Sequence, residues 1–316
     1  MEHRKTAVIA FGGNALLQAH QKGTQDEQIE NAKRAADMMY NVYSSGFTLL
    51  VVHGNGPQVG NILIQQDRAL HQIPPYTLDI CGAMTEGSMG YMIERSLINR
   101  ILAAGETPRV ATVISEVVVD GDSDAFKNPT KPVGPFYPEF RAEELMRTKK
   151  WVMKEDSGRG WRKVVPSPKP IEVIQEPAIR ALLESGHVVI AGGGGGVPVK
   201  RDISGYLMGV EAVIDKDYTS SLLARNLKAD LFITLTGVDQ VYVDFGQPTQ
   251  KALSRVTVKE ARKMLAEGQF PAGSMGPKIE SAVEYIEAGG SEVLITSAEA
   301  IENMKDIEKV GTRIIP

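Results

Sequence analysis

Apolar and polar positions fall into two alternating kinds of block along this chain. Short, β-rich apolar runs occupy residues 6–11, 47–52, 187–191, 231–235 and 292–296, with further strand character at 110–119, 241–243 and 311–315. Continuous apolar runs of this length suit strands covered on both faces, as in a parallel sheet. Between them, apolar residues recur every three or four positions. Ile29, Ala32, Ala36, Met39, Tyr40 and Tyr43 mark one long helix, closed by Ser44-Ser45-Gly46. Similar patterns predict helices over 76–104, 176–185, 222–227, 256–268 and 279–286. Strand and helix therefore take turns, the pattern of an α/β fold. Gly82, Gly87 and Gly90 interrupt the second helix, and small residues at that spacing permit a close approach to another helix, across a subunit boundary for example. Glu86 and Glu94 on the same helix read as solvated or capping groups, and His53 as a structural residue at a strand end.

The periodicity fails between residues 120 and 169, where proline, charge and tryptophan accumulate. This stretch reads as an insertion or small lobe, a candidate lid. Within it Lys131 stands between Pro129 and Pro132, whose fixed φ angles limit how far the lysine can wander. A solvated loop lysine is the other reading. Asp120, Asp122 and Asp124 imitate a calcium loop, but Ala125 and Lys131 occupy the positions that need glycine and glutamate. Asp244-Phe245-Gly246 imitates a kinase element without the preceding His-Arg-Asp segment and reads as a turn.

Composition narrows the class. At 316 residues with a formal net charge of −4, the chain has no basic footprint for nucleic acid or an anionic membrane. One cysteine, Cys81, precludes an internal disulfide and a zinc-type cysteine cluster, which fits a reducing, cytoplasmic setting. The apolar run after Arg4-Lys5 is broken by Gly12-Gly13-Asn14 before it could serve as a signal peptide. No apolar run approaches the roughly 20 residues of a membrane-spanning helix.

Chemistry concentrates where strands end. The first strand runs into Gly12-Gly13-Asn14, the second into His53-Gly54-Asn55-Gly56, and the strand at 187–191 into five consecutive glycines, Gly192 to Gly196. Glycine turns at strand ends can present backbone N–H groups to an anion. Five in a row carry a large entropic penalty that close approach of a phosphorylated ligand would justify. The spacing around Gly54 nearly matches a dinucleotide fingerprint, yet it is not on the first strand and lacks the acidic residue expected after the next, so a Rossmann cofactor site is rejected. Two lysines, Lys216 within Asp215-Lys216-Asp217 and Lys278 after Met275-Gly276-Pro277, stand at helix starts, where the helix dipole disfavours a cation. Binding a polyanion would explain them; for the first, an exposed capping cluster is the alternative. No Gly-Lys dipeptide occurs, which excludes a Walker-type loop, and no histidine metal set or Ser-His-Asp pairing is identifiable. What remains is phosphoryl transfer by positioning and cationic stabilisation.

On the segments AFGGNAL (10–16), VVHGNGPQVGN (51–61), NPTKPVGPFY (128–137), AGGGGGVPV (191–199), VIDKDYTSSLLA (213–224) and GSMGPKIESA (273–282), the sequence resembles the amino-acid kinase family over essentially its full length. It is most similar to the branch that phosphorylates carbamate. The resemblance implies a three-layer α-β-α sandwich around a mainly parallel sheet, with a lid-like insertion, usually as a homodimer. It divides the single domain into a carbamate-binding lobe up to about residue 205 and a nucleotide-binding lobe over 206–316. The implied reaction is ATP + carbamate ⇌ ADP + carbamoyl phosphate with Mg2+ carried on the nucleotide phosphates, run toward ATP synthesis in arginine degradation. Gly12, Gly13, Asn14, Gly54 and Asn55 would surround carbamate and the transferred phosphoryl group. Lys216 and Lys278 would hold phosphates, Asp217 would orient them, and Lys131 would arrive from the insertion. Gly194, Gly195 and Asp215 would also face the nucleotide. Thr236, Gly237, Val238, Asp239, Tyr242 and Val243 would border adenine and ribose, together with Met275, Gly276 and Pro277. Two other readings stand beside this one: an acetylglutamate-type kinase, and a non-catalytic nucleotide sensor on the same fold.

Overall fold

The computed structural model describes residues 4–12, 16–17, 21–156, 158–271, 274–304 and 306–316. An eight-stranded sheet runs through the molecule in the spatial order Arg255–Thr257, Thr312–Ile315, Val293–Ser297, Leu231–Thr236, Lys5–Phe11, Phe47–His53, Val188–Ala191 and Val110–Val113. Every neighbouring pair is parallel except Val293–Ser297 with Thr312–Ile315.

Alternation along each strand sends side chains to opposite faces, and each face has its own core. Val8, Ala10, Leu50, Val52, Val189 and Phe232 meet the helices Glu176–Glu184, Lys216–Asn226, Val258–Ala266 and Met275–Glu287. Ala7, Ile9, Phe11, Leu49, Val51 and Ile233 meet Gln25–Ser44 and Leu78–Ala103. Helices above and below one mainly parallel sheet make the three layers. The long helix Gln25–Ser44 begins as its sequence dictates: Thr24 caps Glu27 N–H and the Glu27 carboxylate returns to Thr24 N–H.

A second sheet of four strands, Leu207–Gly209, Val197–Arg201, Glu116–Val119 and Pro170–Val173, flanks the first. The run expected as one strand over 110–119 is therefore two, in different sheets, separated at Ile114-Ser115. The helix expected over 256–268 begins instead as the edge strand Arg255–Thr257 before Val258–Ala266. The segment without periodicity is not irregular. It folds as a three-stranded sheet, Lys131–Tyr137, Met153–Glu155 and Trp161–Val165, with helix Glu139–Lys149 over a small core of Ala142, Leu145 and Met153. No helix of the described residues is long and apolar enough to cross a membrane.

The interrupting glycines of Leu78–Ala103 differ in their surroundings. Gly90 lies against a strand, where an added Cβ would stand 2.3 Å from Thr112 Cγ2, whereas Gly82 and Gly87 face open space. Glu86 is neither solvated nor capping: it is only 2 % exposed. Glu94 is half-buried and accepts a hydrogen bond from the Thr112 hydroxyl at 2.6 Å.

Candidate active site

The parallel strands Lys5–Phe11, Phe47–His53, Val188–Ala191 and Leu231–Thr236 end side by side, so the turns that follow them gather at one edge of the sheet. They surround a cavity of about 560 Å3 lined by Gly12, Gly54, Asn55, Gly194, Thr236 and Gly237. Its remaining wall brings together Asp215, Lys216 and Asp217, Pro277 and Lys278, and Lys131 of the insertion. Gly13 and Asn14 lie outside the described residues.

The two helix-start lysines face each other across one carboxylate. Lys216 Nζ lies 2.8 Å from Asp217 Oδ1, and Lys278 Nζ lies 3.0 Å from Asp217 Oδ2. Asp215 caps the Lys216–Asn226 helix by accepting the Asp217 N–H at 3.1 Å, and its other oxygen binds Lys131 Nζ at 2.7 Å. An ion pair thus brings the insertion to the cavity, and three lysines from distant segments meet two aspartates there.

Burial sets the electrostatics. On its own it would raise the Asp217 pKa, but the Lys216 and Lys278 ammoniums reverse this and hold it at about 2. Burial opposes the Lys216 charge, which Asp217 and Asp215 restore and reinforce, so its pKa rises. Lys278 goes the other way: burial and then the neighbouring Lys216 ammonium pull it down to about 8, against the attraction of Asp217. A cation held this close to release has an unmet demand for negative charge, which a phosphate would satisfy.

The five glycines divide in purpose. Gly194 lines the cavity with φ of +70°, and an added Cβ would lie 2.2 Å from Asn55 Nδ2. Gly195 and Gly196, at φ of +96° and +88°, instead press against Ile214 O and Val117 Cγ2, each 2.2 Å from an added Cβ. Part of the run is therefore demanded by the protein's own packing, and Gly195 does not line the cavity. The Thr219 hydroxyl fixes Gly195 by donating to its carbonyl at 2.8 Å.

Val238, Asp239, Tyr242, Val243, Met275 and Gly276 stand outside the cavity lining. The Tyr242 hydroxyl donates to Asp239 Oδ1 at 2.9 Å, and Thr296 Oγ1 donates to the Asp239 carbonyl at 3.0 Å. Phe11, Leu235, Ser274 and Ala298 do line the cavity and carried no sequence signal as site residues. Ala298 follows a strand directly into a helix without a glycine, so only its neighbours in space give it away. Phe245 packs on Tyr242, with ring centroids 6.0 Å apart, in the turn expected at 244–246.

A sequence profile described as the amino acid kinase family matches residues 5–297. The chain belongs to the amino-acid kinase family. Within that family it is 46 % identical over 315 residues to a carbamate kinase of Thermococcus kodakarensis, covering 98 % of this chain and 99 % of the relative. It is 44 % identical over 310 residues to carbamate kinase 1 of Enterococcus faecium, covering 98 % of each. Among solved structures, the carbamate kinase of Giardia lamblia bound to AMP-PNP superposes with a TM-score of 0.93 at 41 % identity, covering 100 % of this chain and 99 % of the other. The amino-acid kinase fold thus extends over the whole chain, insertion included.

Proposed function

We propose that this chain is a carbamate kinase, catalysing ATP + carbamate ⇌ ADP + carbamoyl phosphate and running toward ATP synthesis in arginine degradation. The observation that carries this reading is the meeting of Lys131, Lys216 and Lys278 in one cavity beside Gly12, Gly54 and Gly194. Carbamate already presents an anionic oxygen, so its attack needs no general base. The obstacle is repulsion between two anions, and fixed cations with bare backbone at the point of approach address it. Relatives named carbamate kinase at 40–46 % identity over nearly the full chain support the same reaction, and the AMP-PNP complex of the Giardia lamblia enzyme supports ATP as the nucleotide.

In this reading residues up to about 205 serve carbamate and 206–316 serve the nucleotide. Gly12, Gly13, Asn14, Gly54 and Asn55 surround carbamate. Lys216 and Lys278 take the phosphates, Asp217 holds both lysines in place, and Lys131 closes over them from the insertion. Thr236 and Gly237 border the nucleoside with Pro277. Mg2+ fits as a passenger on the nucleotide phosphates, whose charge it would help neutralise. Among the described residues no group of three acidic, histidine or cysteine side chains could hold a metal, and both cavity aspartates are already engaged by lysines. A cytoplasmic setting is in keeping with the lone buried thiol of Cys81.

A coupled assay of ATP formed from ADP and carbamoyl phosphate tests the proposal. Turnover with carbamoyl phosphate and none with N-acetylglutamyl phosphate is expected. Among the described residues, none that lines the cavity is an arginine able to read a larger substrate's carboxylate. ATP binding without turnover would leave a sensor instead.

Nucleotide binding should also be linked to protons. Phosphates beside Lys278 raise its pKa from about 8. The bound state therefore holds more protons above that pH, and affinity is full below it and declines above. Calorimetric titration just above pH 8 in buffers of different ionisation heat should reveal net proton uptake that Lys278→Met abolishes.

We further propose a homodimer through the solvent face of Leu78–Ala103. Ile80, Met84 and Tyr91, 43 %, 41 % and 58 % exposed, form an apolar stripe one helical face wide. The Val197–Arg201/Leu207–Gly209 hairpin adds Tyr206 and Met208 beside the helix start, where Gly209 adjoins Asp79. Sedimentation should give a dimer for the wild type and a monomer for Met84→Asp combined with Tyr91→Asp; a monomeric wild type would refute the interface.

A further inference from the structure

Directly behind the glycine run lies a buried carboxyl with no counter-ion among the described residues. Glu86, 2 % exposed on the Leu78–Ala103 helix, accepts the Ser115 N–H on Oε2 at 2.8 Å, while its Oε1 is buried without a hydrogen-bond partner. Ser115 in turn grips both ends of the run. Its hydroxyl accepts the Gly192 N–H at 3.0 Å, and its carbonyl accepts the Val197 N–H at 2.8 Å. Glu86 also touches the run itself, since a Cβ on Gly193 would lie 3.0 Å from Glu86 Cγ and 2.4 Å from His53 Nε2. The residue before it, Thr85, receives the Asn55 amide N–H on its hydroxyl at 2.8 Å, and Asn55 is the side chain pressed against Gly194. One helical turn therefore braces both Asn55 and the run that presents Gly194 to the cavity.

We propose that Glu86 is a positioning residue of the phosphoryl-transfer site, fixing the glycine run through Ser115, and that it does so as an uncharged acid. This rests on the kinase reading above. Among the described residues no cation pairs with Glu86. His53 is wholly buried, and burial lowers its pKa to about 4, so the imidazole beside Gly193 is neutral. Burial raises the Glu86 pKa well above the carboxylate range, against the Ser115 N–H that lowers it, and the Glu116 carboxylate adds to the rise. A bare anion here would also repel the phosphates that the cavity gathers. A neutral carboxyl can accept from Ser115 on one oxygen and offer a proton on the other without doing so.

The wild type is assayed first; if it shows no turnover, the kinase reading fails and the Glu86 variants do not bear on it. If it turns over, Glu86→Gln, neutral and of the same shape, should keep kcat within about 3-fold. Glu86→Ala should lower kcat roughly 10- to 100-fold with KM for ADP changed far less, because a small displacement of the cradle acts on the transition state. Infrared spectra at pH 8 should show a protonated-carboxyl band that Glu86→Gln removes. Unchanged kcat in the alanine variant, a glutamine variant as slow as the alanine one, or absence of that band would overturn the proposal. Should Glu86→Ala not fold, Ser115→Ala decides, since it frees Gly192 while leaving the Glu86 contact to the backbone. It should show the same loss in kcat, and wild-type kcat there would be equally fatal.

Discussion

Lys278→Ala lowers kcat by about 10²–10³ with little change in melting temperature, and Lys216→Ala does the same. The reason lies in how the two lysines share a partner. Lys216 bonds Asp217 Oδ1 and Lys278 reaches both oxygens, nearest to Oδ2, with side-chain exposures of only 13 % for Lys216 and 11 % for Lys278. Removing either one leaves Asp217 ion-paired with the other, so no buried charge is orphaned and the fold is spared the usual penalty. Catalysis has no such reserve. Transfer between two anions needs the developing charge met from fixed positions, and a single ammonium cannot stand on both sides of it. Steady-state kinetics of the coupled assay, with thermal melts of the same preparations, distinguish this from misfolding. Near-normal turnover in both variants would remove the lysines from the mechanism.

The sequence disclosed this arrangement unevenly, for physical reasons. Strands buried on both faces leave unbroken apolar runs, so residues 6–11, 47–52 and 231–235 could be read directly, and so could the glycines that follow them. Lysines at helix starts contradict the helix dipole, which made Lys216 and Lys278 conspicuous. Their convergence on Asp217 depends on two helices packing together and is invisible to any local pattern. Burial of a charged residue leaves no mark either. Glu86 looks like any other glutamate on an amphipathic helix, and only its place beside Ser115 and Gly193 distinguishes it. The same holds for the glycine run, in which Gly195 and Gly196 answer to Ile214 and Val117, residues from other parts of the chain. Between 120 and 169 the strands Met153–Glu155 and Trp161–Val165 are short, and Lys131–Tyr137 holds two prolines and buries only Val133, so no apolar run stood out.

Asp217→Asn reverses the logic of the lysine variants. Here the shared counter-ion goes and two ammoniums are left facing one another with Asp217's place taken by a neutral amide. Breaking a buried pair in this way typically costs about 3–5 kcal/mol, so the apo melting temperature should fall by roughly 5–15 °C. The penalty depends on pH in a defined sense. Asp217 is held at about 2, below its ordinary value of 3.8, so its stabilising contribution is complete above about pH 4 and disappears as pH falls toward 2. The gap between wild type and variant should therefore be constant near neutrality and close in acid. ATP supplies the missing negative charge, so it should raise the variant's melting temperature by more than it raises the wild type's. Thermal melts with and without ATP across that pH range measure both effects. An asparagine variant with wild-type apo stability and an unchanged ATP response would mean that Asp217 does not hold the two lysines against each other.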